Sequence, residues 1–235
     1  FGHMEVLQAL ADEGVRLDAT VESSGMQPIH WAATHGHTDI VRFLLEKGCD
    51  VDATDIKRTT ALVIAAQYDH SVLVFFLAKH RADITKLDDC NDSALHWAAY
   101  KGSIPVAGIL LHLHGGCVGH VDRPDKFGQT PVHLAALRGN DDVILHLLEE
   151  AEAEDAVASA SSSSSGGGEG GSDLVRRILE LPDREGRTPL DLAVRKGRSG
   201  CEAILRRYAD RHCEPRPTVL TVVRRTCSAL FSVRS

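Results

Sequence analysis

The chain has 235 residues, 43% hydrophobic and 25% charged, with a formal net charge of −7; such a composition folds around a core, as one ordinary domain or two small ones. The charge is uneven, with 12 Lys/Arg against 26 Asp/Glu in residues 1–173 and 14 against 7 in residues 174–235. The acidic body excludes general nucleic-acid binding, which needs clustered cations, and no apolar run nears the ~20 residues a bilayer requires, the stretch Val219 to Val223 ending at Arg224 and Arg225.

The N-terminus, Phe1-Gly2-His3-Met4-Glu5, has no starting Met and no basic region before an apolar one, so it does not read as a secretory signal. Cys49, Cys90, Cys117, Cys201, Cys213 and Cys227 stand far apart without a CxxC pair. Reduced thiols and a cytoplasmic location are the expectation.

One pattern then recurs along the chain. Gln27-Pro28-Ile29-His30-Trp31-Ala32-Ala33 is followed after 33 residues by Thr60-Ala61-Leu62-Val63-Ile64-Ala65-Ala66, and after 33 more by Ser93-Ala94-Leu95-His96-Trp97-Ala98-Ala99. Thr130-Pro131-Val132-His133-Leu134-Ala135-Ala136 comes after 37, and Thr188-Pro189-Leu190-Asp191-Leu192-Ala193 after 58. The excess residues read as insertions into a 33-residue period.

Each unit predicts two short antiparallel helices. Thr or Ser caps the first, and Pro131 and Pro189 fit its first turn, where no hydrogen bond is lost. The Ala-Ala pair allows close packing, and Gly36, Gly102, Gly139 and Gly197 supply the tight turn. The second helix carries apolar residues at helical spacing, such as Ile40, Val41 and Leu44, or Val143, Ile144, Leu147 and Leu148. Gly48 ends the first of these in a left-handed conformation, and Arg81 holds the equivalent place one period later, so a side chain is forced towards positive φ at a cost of ~1 kcal/mol. Pro105 falls in a first helical turn, where it is tolerated. No helix pair buries its apolar face alone, so the units must stack into one continuous core.

Two segments interrupt the pattern. His114-Gly115-Gly116-Cys117 lengthens an outer loop, and from Glu149 the chain passes through acidic residues into Ser161–Ser165 and Gly166–Gly168, a composition expected to stay disordered. Leu174 to Leu179 resumes helical spacing. The tail holds Arg206, Arg207, Arg211, Arg216, Arg224, Arg225 and Arg234 after a repeat region closed by Pro215 and Pro217. It reads either as a solvated end or as a basic segment leading to a membrane span, with Cys227 then open to lipidation.

Little here points to catalysis or metal. The cluster His112, His114, Cys117 and His120 matches no usual zinc spacing, and His30, His96 and His133 recur at one phase, as structural residues do. No nucleophile, base and orienting group converge, and no cofactor is expected. Trp31 and Trp97 occupy the fifth position of the motif, where Leu134 also stands; they read either as core-filling aromatics or as contacts for a bound segment.

The motif resembles the T-P-L-H-x-A signature of ankyrin repeats, over nearly all of residues 2–208. That resemblance implies an all-α solenoid of stacked helix-turn-helix pairs with a concave binding face, and histidines that hydrogen-bond between neighbouring turns. Gly2-His3-Met4-Glu5-Val6-Leu7 aligns with Gly36-His37-Thr38-Asp39-Ile40-Val41, so the chain is expected to begin inside a repeat. The units are placed at 1–24 (partial repeat), 25–54, 55–87, 88–124, 125–150 and 173–210, with a disordered insertion at 151–172 and a basic tail at 211–235.

The stretch from Gln67-Tyr68-Asp69-His70 through Ser93-Ala94-Leu95-His96-Trp97-Ala98-Ala99-Tyr100 further resembles the cytosolic ankyrin region of DHHC-type palmitoyltransferases. There the ankyrin region recruits substrates through short extended motifs, with an inner-helix Trp and a polar residue one repeat earlier lining the groove. By repeat phase the resemblance points to Trp97 and Gln67, with Tyr100 close by. The Asp-His-His-Cys element and the membrane spans of those enzymes are absent from these 235 residues. The resulting expectation is a non-catalytic module that binds a protein partner or an extended peptide at Trp31, Gln67, Tyr68, Trp97 and Tyr100. It would bind no nucleic acid and would meet a membrane only through a parent protein or the basic tail, on the cytosolic face of a Golgi or other endomembrane. The alternatives are a free-standing adaptor or scaffold, and a regulator of transcription, which the arginine spacing disfavours. Acidic loop tips at Asp55, Asp88, Asp89, Asp92 and Asp125 predict a basic or neutral partner segment.

Overall fold

The computed structural model describes residues 4–113, 120–161 and 173–213. In chain order these form α1 (Met4–Asp12), α2 (Pro28–Thr34), α3 (Thr38–Glu46), α4 (Ala61–Gln67), α5 (Ser71–Lys79), α6 (Ala94–Lys101), α7 (Ile104–His112), α8 (Pro131–Arg138), α9 (Asp141–Ser161), α10 (Leu174–Glu180), α11 (Pro189–Arg195) and α12 (Ser199–His212). Among the described residues the extended pairing is limited to one bridge, Thr54 with Thr60. The architecture is the all-α solenoid that the period predicts.

Two layers run along it. The short helices α2, α4, α6, α8 and α11 stack in sequence as an inner layer, and α3, α5, α7, α9 and α12 stack behind them. The small Ala pairs let inner backbones approach, and Ala33, Ala65, Ala66, Ala98, Ala99, Ala135 and Ala136 are all fully buried. Leu44, Leu77, Leu110 and Leu147 fill the space between the layers, each contributing about 2 kcal/mol by leaving water. At the open end α1 buries none of its residues completely, and Val6 stays 56% exposed.

The turns explain the glycines. Gly102 has φ 81°, and a Cβ added there would lie 2.8 Å from Oδ1 of Asn140, whose amide donates to the carbonyls of Ala99 and Tyr100 at 2.7 and 3.1 Å. A side chain at Gly102 would therefore displace a bond between repeats as well as strain the turn. Arg81 has φ 64°, as its place in the period predicts, and Arg58, Asp69 and Asn91 join it in the left-handed region.

The sequence predicts a structureless chain from residue 151; the structure corrects that boundary. Helix α9 runs on to Ser161 with Ala151 fully buried. The Asp155 carboxylate accepts from the backbone N–H groups of Leu174 (3.0 Å) and Val175 (3.1 Å), satisfying donors at the start of α10, which packs on α9 and α12. The Glu/Ala/Asp run is thus one half of a helical hairpin. Residues 162–172, the insertion at 114–117 and the tail with Arg216, Arg224, Arg225, Cys227 and Arg234 lie outside the described residues.

Candidate functional site: the exposed face of the inner helices

The buried side of each inner helix is occupied by a hydrogen-bond relay. His96 Nδ1 accepts from the Ser93 N–H at 3.2 Å, so its Nε2 carries the proton and donates to the Arg123 carbonyl at 3.0 Å. His133 does the same between the Thr130 N–H (3.1 Å) and the Arg187 carbonyl (3.2 Å), and His30 between the Gln27 N–H and the Ala53 carbonyl, both at 2.9 Å. Burial pushes His96 down to about 4 and lowers His133 as well. All three rings tie an inner helix to the chain at the next loop tip, and burial keeps His96 and His133 neutral.

The loop tips are built on a second relay. In each of four fingers one aspartate oxygen accepts two backbone N–H bonds: Asp55 from Lys57 and Thr59, Asp88 from Cys90 and Asp92, Asp125 from Phe127 and Gln129, Asp183 from Glu185 and Arg187, all at 2.7–2.9 Å. Neighbouring fingers are tied by backbone bonds from Ile56 to Ser24, Asp89 to Lys57, Lys126 to Cys90 and Arg184 to Phe127. The expectation that Asp55, Asp88 and Asp125 present negative charge to a partner is therefore corrected, since these carboxylates are turned inward to hold their own turns. Asp92 is also half-buried, with Oδ1 unpartnered among the described residues; burial and the neighbouring Asp88 and Asp125 push it up to about 7.

Three positions of each inner helix and its end align by repeat phase into a grid of three rows, whose members are exposed or half-buried except for Ile64 and Leu192, which are buried. The first reads Trp31, Ile64, Trp97, Leu134, Leu192; the second Thr34, Gln67, Tyr100, Leu137, Arg195; the third His35, Tyr68, Lys101, Arg138, Lys196. All five residues expected to bind a partner lie in it. Trp97 and Tyr100 meet edge to face, with ring centroids 6.0 Å apart and planes at 77°, and the Arg138 guanidinium lies 4.6 Å above the Tyr100 ring. Tyr68 is 51% exposed and stacks beside His70, while Gln67 next to it is half-buried. Trp31 is 50% exposed and stands apart, in a groove that it shares with Val6, Leu7 and Ile40. The Trp97 indole N–H has no partner among the described residues. Both tryptophans thus combine packing with an outward face.

Sequence reasoning missed the cations of the third row, although repeat phase alone aligns Lys101, Arg138 and Lys196. His112 lies on the outer layer beside His146 and Glu150, with a donor atom of each within 4.8 Å of the others and His112 Nε2 3.4 Å from Glu150 Oε1. His146 and Glu150 sit one helical turn apart on α9, and Glu150 links α9 to the end of α7. His114 and Cys117 lie outside the described residues. Cys49, Cys90, Cys201 and Cys213 are free thiols, and burial pushes Cys201, which donates to Asp141 at 2.8 Å, up to about 12, leaving it an inert thiol.

Helix pairs joined by capped turns, histidine relays and interlocked fingers define a repeat-built binding scaffold. The sequence profile of ankyrin repeats, in three copies, matches residues 1–55, 62–158 and 113–214, and the chain belongs to the ankyrin-repeat family. It is 34% identical over 141 residues to Palmitoyltransferase AKR1 of Lachancea kluyveri, covering 58% of this chain and 18% of that protein. It is 27% identical over 205 residues to ZDHHC13 of Danio rerio, a protein named for palmitoyl transfer, covering 82% of this chain and 31% of the other. E3 ubiquitin-protein ligase XBAT33 of Arabidopsis thaliana is 31% identical over 146 residues, 52% of this chain and 28% of the ligase. The chain thus spans under a third of each of these relatives. Among the described residues no helix is long and apolar enough to cross a membrane.

Proposed function

We propose that this chain is the substrate-recruiting ankyrin region of a membrane protein S-acyltransferase, held on the cytosolic face of an endomembrane such as the Golgi. An extended segment of the substrate lies along the inner-helix grid, anchored at Trp31, Gln67, Tyr68, Trp97 and Tyr100. The observation that carries this reading is the Trp97–Tyr100 pair, two large aromatics left partly open on a helix whose other side is fully packed. Aromatic groups that pack on one side and face solvent on the other supply binding area at low entropic cost. The similarity to two proteins named for palmitoyl transfer supports the acyltransferase parent. Similarity to an E3 ligase favours a second reading, a soluble scaffold using the same grid for other partners.

The chain has two tryptophans, one at each end of the aromatic part of the grid, so intrinsic fluorescence reports on it directly. A display library of random extended peptides is selected against the purified chain, and enriched peptides are titrated while emission is followed. Binding should shift the emission, and Trp97→Ala should weaken it about tenfold or more at a temperature where its melting curve, lowered by the lost packing, still shows a folded chain. Enriched peptides that ignore Trp97→Ala would remove the grid as the site. Sequencing the parent transcript separates the two readings: membrane spans with an Asp-His-His-Cys element make the chain an acyltransferase arm, and their absence leaves the scaffold.

A further inference from the structure

We infer that the grid is polar along its length, and that its partner segment carries an apolar anchor followed by a run of carboxylate side chains, one at about every third residue. This rests on the proposal that the grid is the binding face, and it specifies the partner's chemistry. None of the fifteen grid positions holds an Asp or Glu. The grid is instead neutral through its first two repeats and gains Lys101 in the third, Arg138 in the fourth, and Arg195 and Lys196 in the fifth. All four are exposed, and among the described residues none joins an ion pair.

Helix-end electrostatics do not account for them. Cations do favour helix C-termini, but His35 and Tyr68 hold the third-row place in the first two repeats, and their helices end equally well without one. Arg198 is placed against the dipole altogether, at the N-cap of α12, where a positive charge is unfavourable. Its side chain lies back across the neighbouring repeat, close enough that a Cβ on Gly139 would meet its Cδ at 2.9 Å. Arg138 is held over Tyr100, so the charge begins where the aromatic pair ends. Unpaired cations in a chain of net charge −7 set up a local positive field that an acidic segment would neutralise. The spacing follows from packing: inner helices lie about 8–10 Å apart, and a segment in the extended polyproline II conformation advances about 3.1 Å per residue with three residues per turn, so every third side chain falls on one face and meets a successive cation.

The probes are three synthetic peptides sharing one apolar anchor taken from the selection, with Glu, Gln or Lys at every third following position. Binding to the purified chain is read by tryptophan emission at 50 and 300 mM salt, with Arg138→Glu/Lys196→Glu as the charge-reversed variant and Arg176→Glu, off the grid, as control. The Glu peptide should bind at least tenfold tighter than the Gln peptide, lose most of that gain at 300 mM salt, and lose it in the double variant but not in the control. Equal binding of the Glu and Gln peptides, with Trp97→Ala still weakening both, would overturn the polarity and leave the binding face standing. Tighter binding of the Lys peptide would reverse the inference. Failure of all three to bind would remove the binding face and the polarity with it. Vesicles of phosphatidylserine that compete fully with the Glu peptide would overturn the protein-segment assignment in favour of a lipid surface.

Discussion

The second and fourth repeats have the same two helices but reach them by different local chemistry. In the fourth, Gly128 and Gly139 take the left-handed positions with φ 77° and 86°, and His133 links the repeat to the next. In the second, Arg58, Asp69 and Arg81 hold φ of 58°, 61° and 64°, and Val63 stands in the histidine position with no bond to give. The strained version folds because it is enclosed: every residue from Ala61 to Ala66 is buried between neighbours. Burial of Leu62, Leu73 and Leu77, at about 2 kcal/mol each, exceeds the ~1 kcal/mol per strained residue. Arg58 also recovers part of its cost, since its guanidinium donates to the Asp88 carbonyl at 2.8 Å.

The largest test of this contrast is in the relay. His133→Ala leaves the Thr130 N–H and the Arg187 carbonyl without their buried partner and should cost about 3 kcal/mol, whereas Val63→Ala removes only packing and should cost about half of that. Equal losses in urea unfolding would mean that the histidine adds nothing beyond its volume. Next is the backbone. Arg81→Gly should stabilise by up to about 1 kcal/mol by relieving the left-handed strain, while Arg58→Gly should gain little, because it also loses the bond to Asp88. Similar gains at both sites would show that this bond carries no weight.

The smallest effect sharpens the comparison through pH. Asp92 is raised from its ordinary 3.8 to about 7, so the fold favours its protonated form; its contribution is complete below pH 3.8 and is lost as pH rises through 7. His96 has the opposite sign, being lowered from 6.5 to about 4, and its contribution is present above pH 6.5 and lost as pH falls through 4. Asp92→Asn should therefore raise the melting temperature at pH 8, with the gain shrinking below pH 7 and gone near pH 4. A gain independent of pH would place its cause in packing instead of in the charge beside Asp88 and Asp125.

Much of the scaffold is legible before any coordinates. The 33-residue period, the Thr and Ser caps, the turn glycines and the strain at Arg81 all follow from residues that act within one or two turns of where they stand. The extent of α9 is not legible, because a Glu/Ala/Asp run resembles both a linker and a helix, and only Asp155 capping α10 across the hairpin decides between them. Asp55, Asp88 and Asp125 mislead for a related reason: an acidic loop residue shows its charge in the sequence but not the two N–H groups it turns to meet. The grid falls between these cases, since phase lines up its rows while only the structure shows which members stay open.

The sequence by itself determined the repeat, the helix pairs and their order, since caps, glycines and apolar spacing act over a few residues and recur with a fixed period. The tertiary structure alone decided which polar groups were consumed and which remained available. His96 and His133 are spent on carbonyls that stacking brings into reach, whereas Lys101, Arg138 and Lys196 face outward without a carboxylate partner among the described residues. Hydrogen bonding and charge pairing act over a few ångströms, and the neighbours that satisfy them here lie 27 or 54 residues away along the chain.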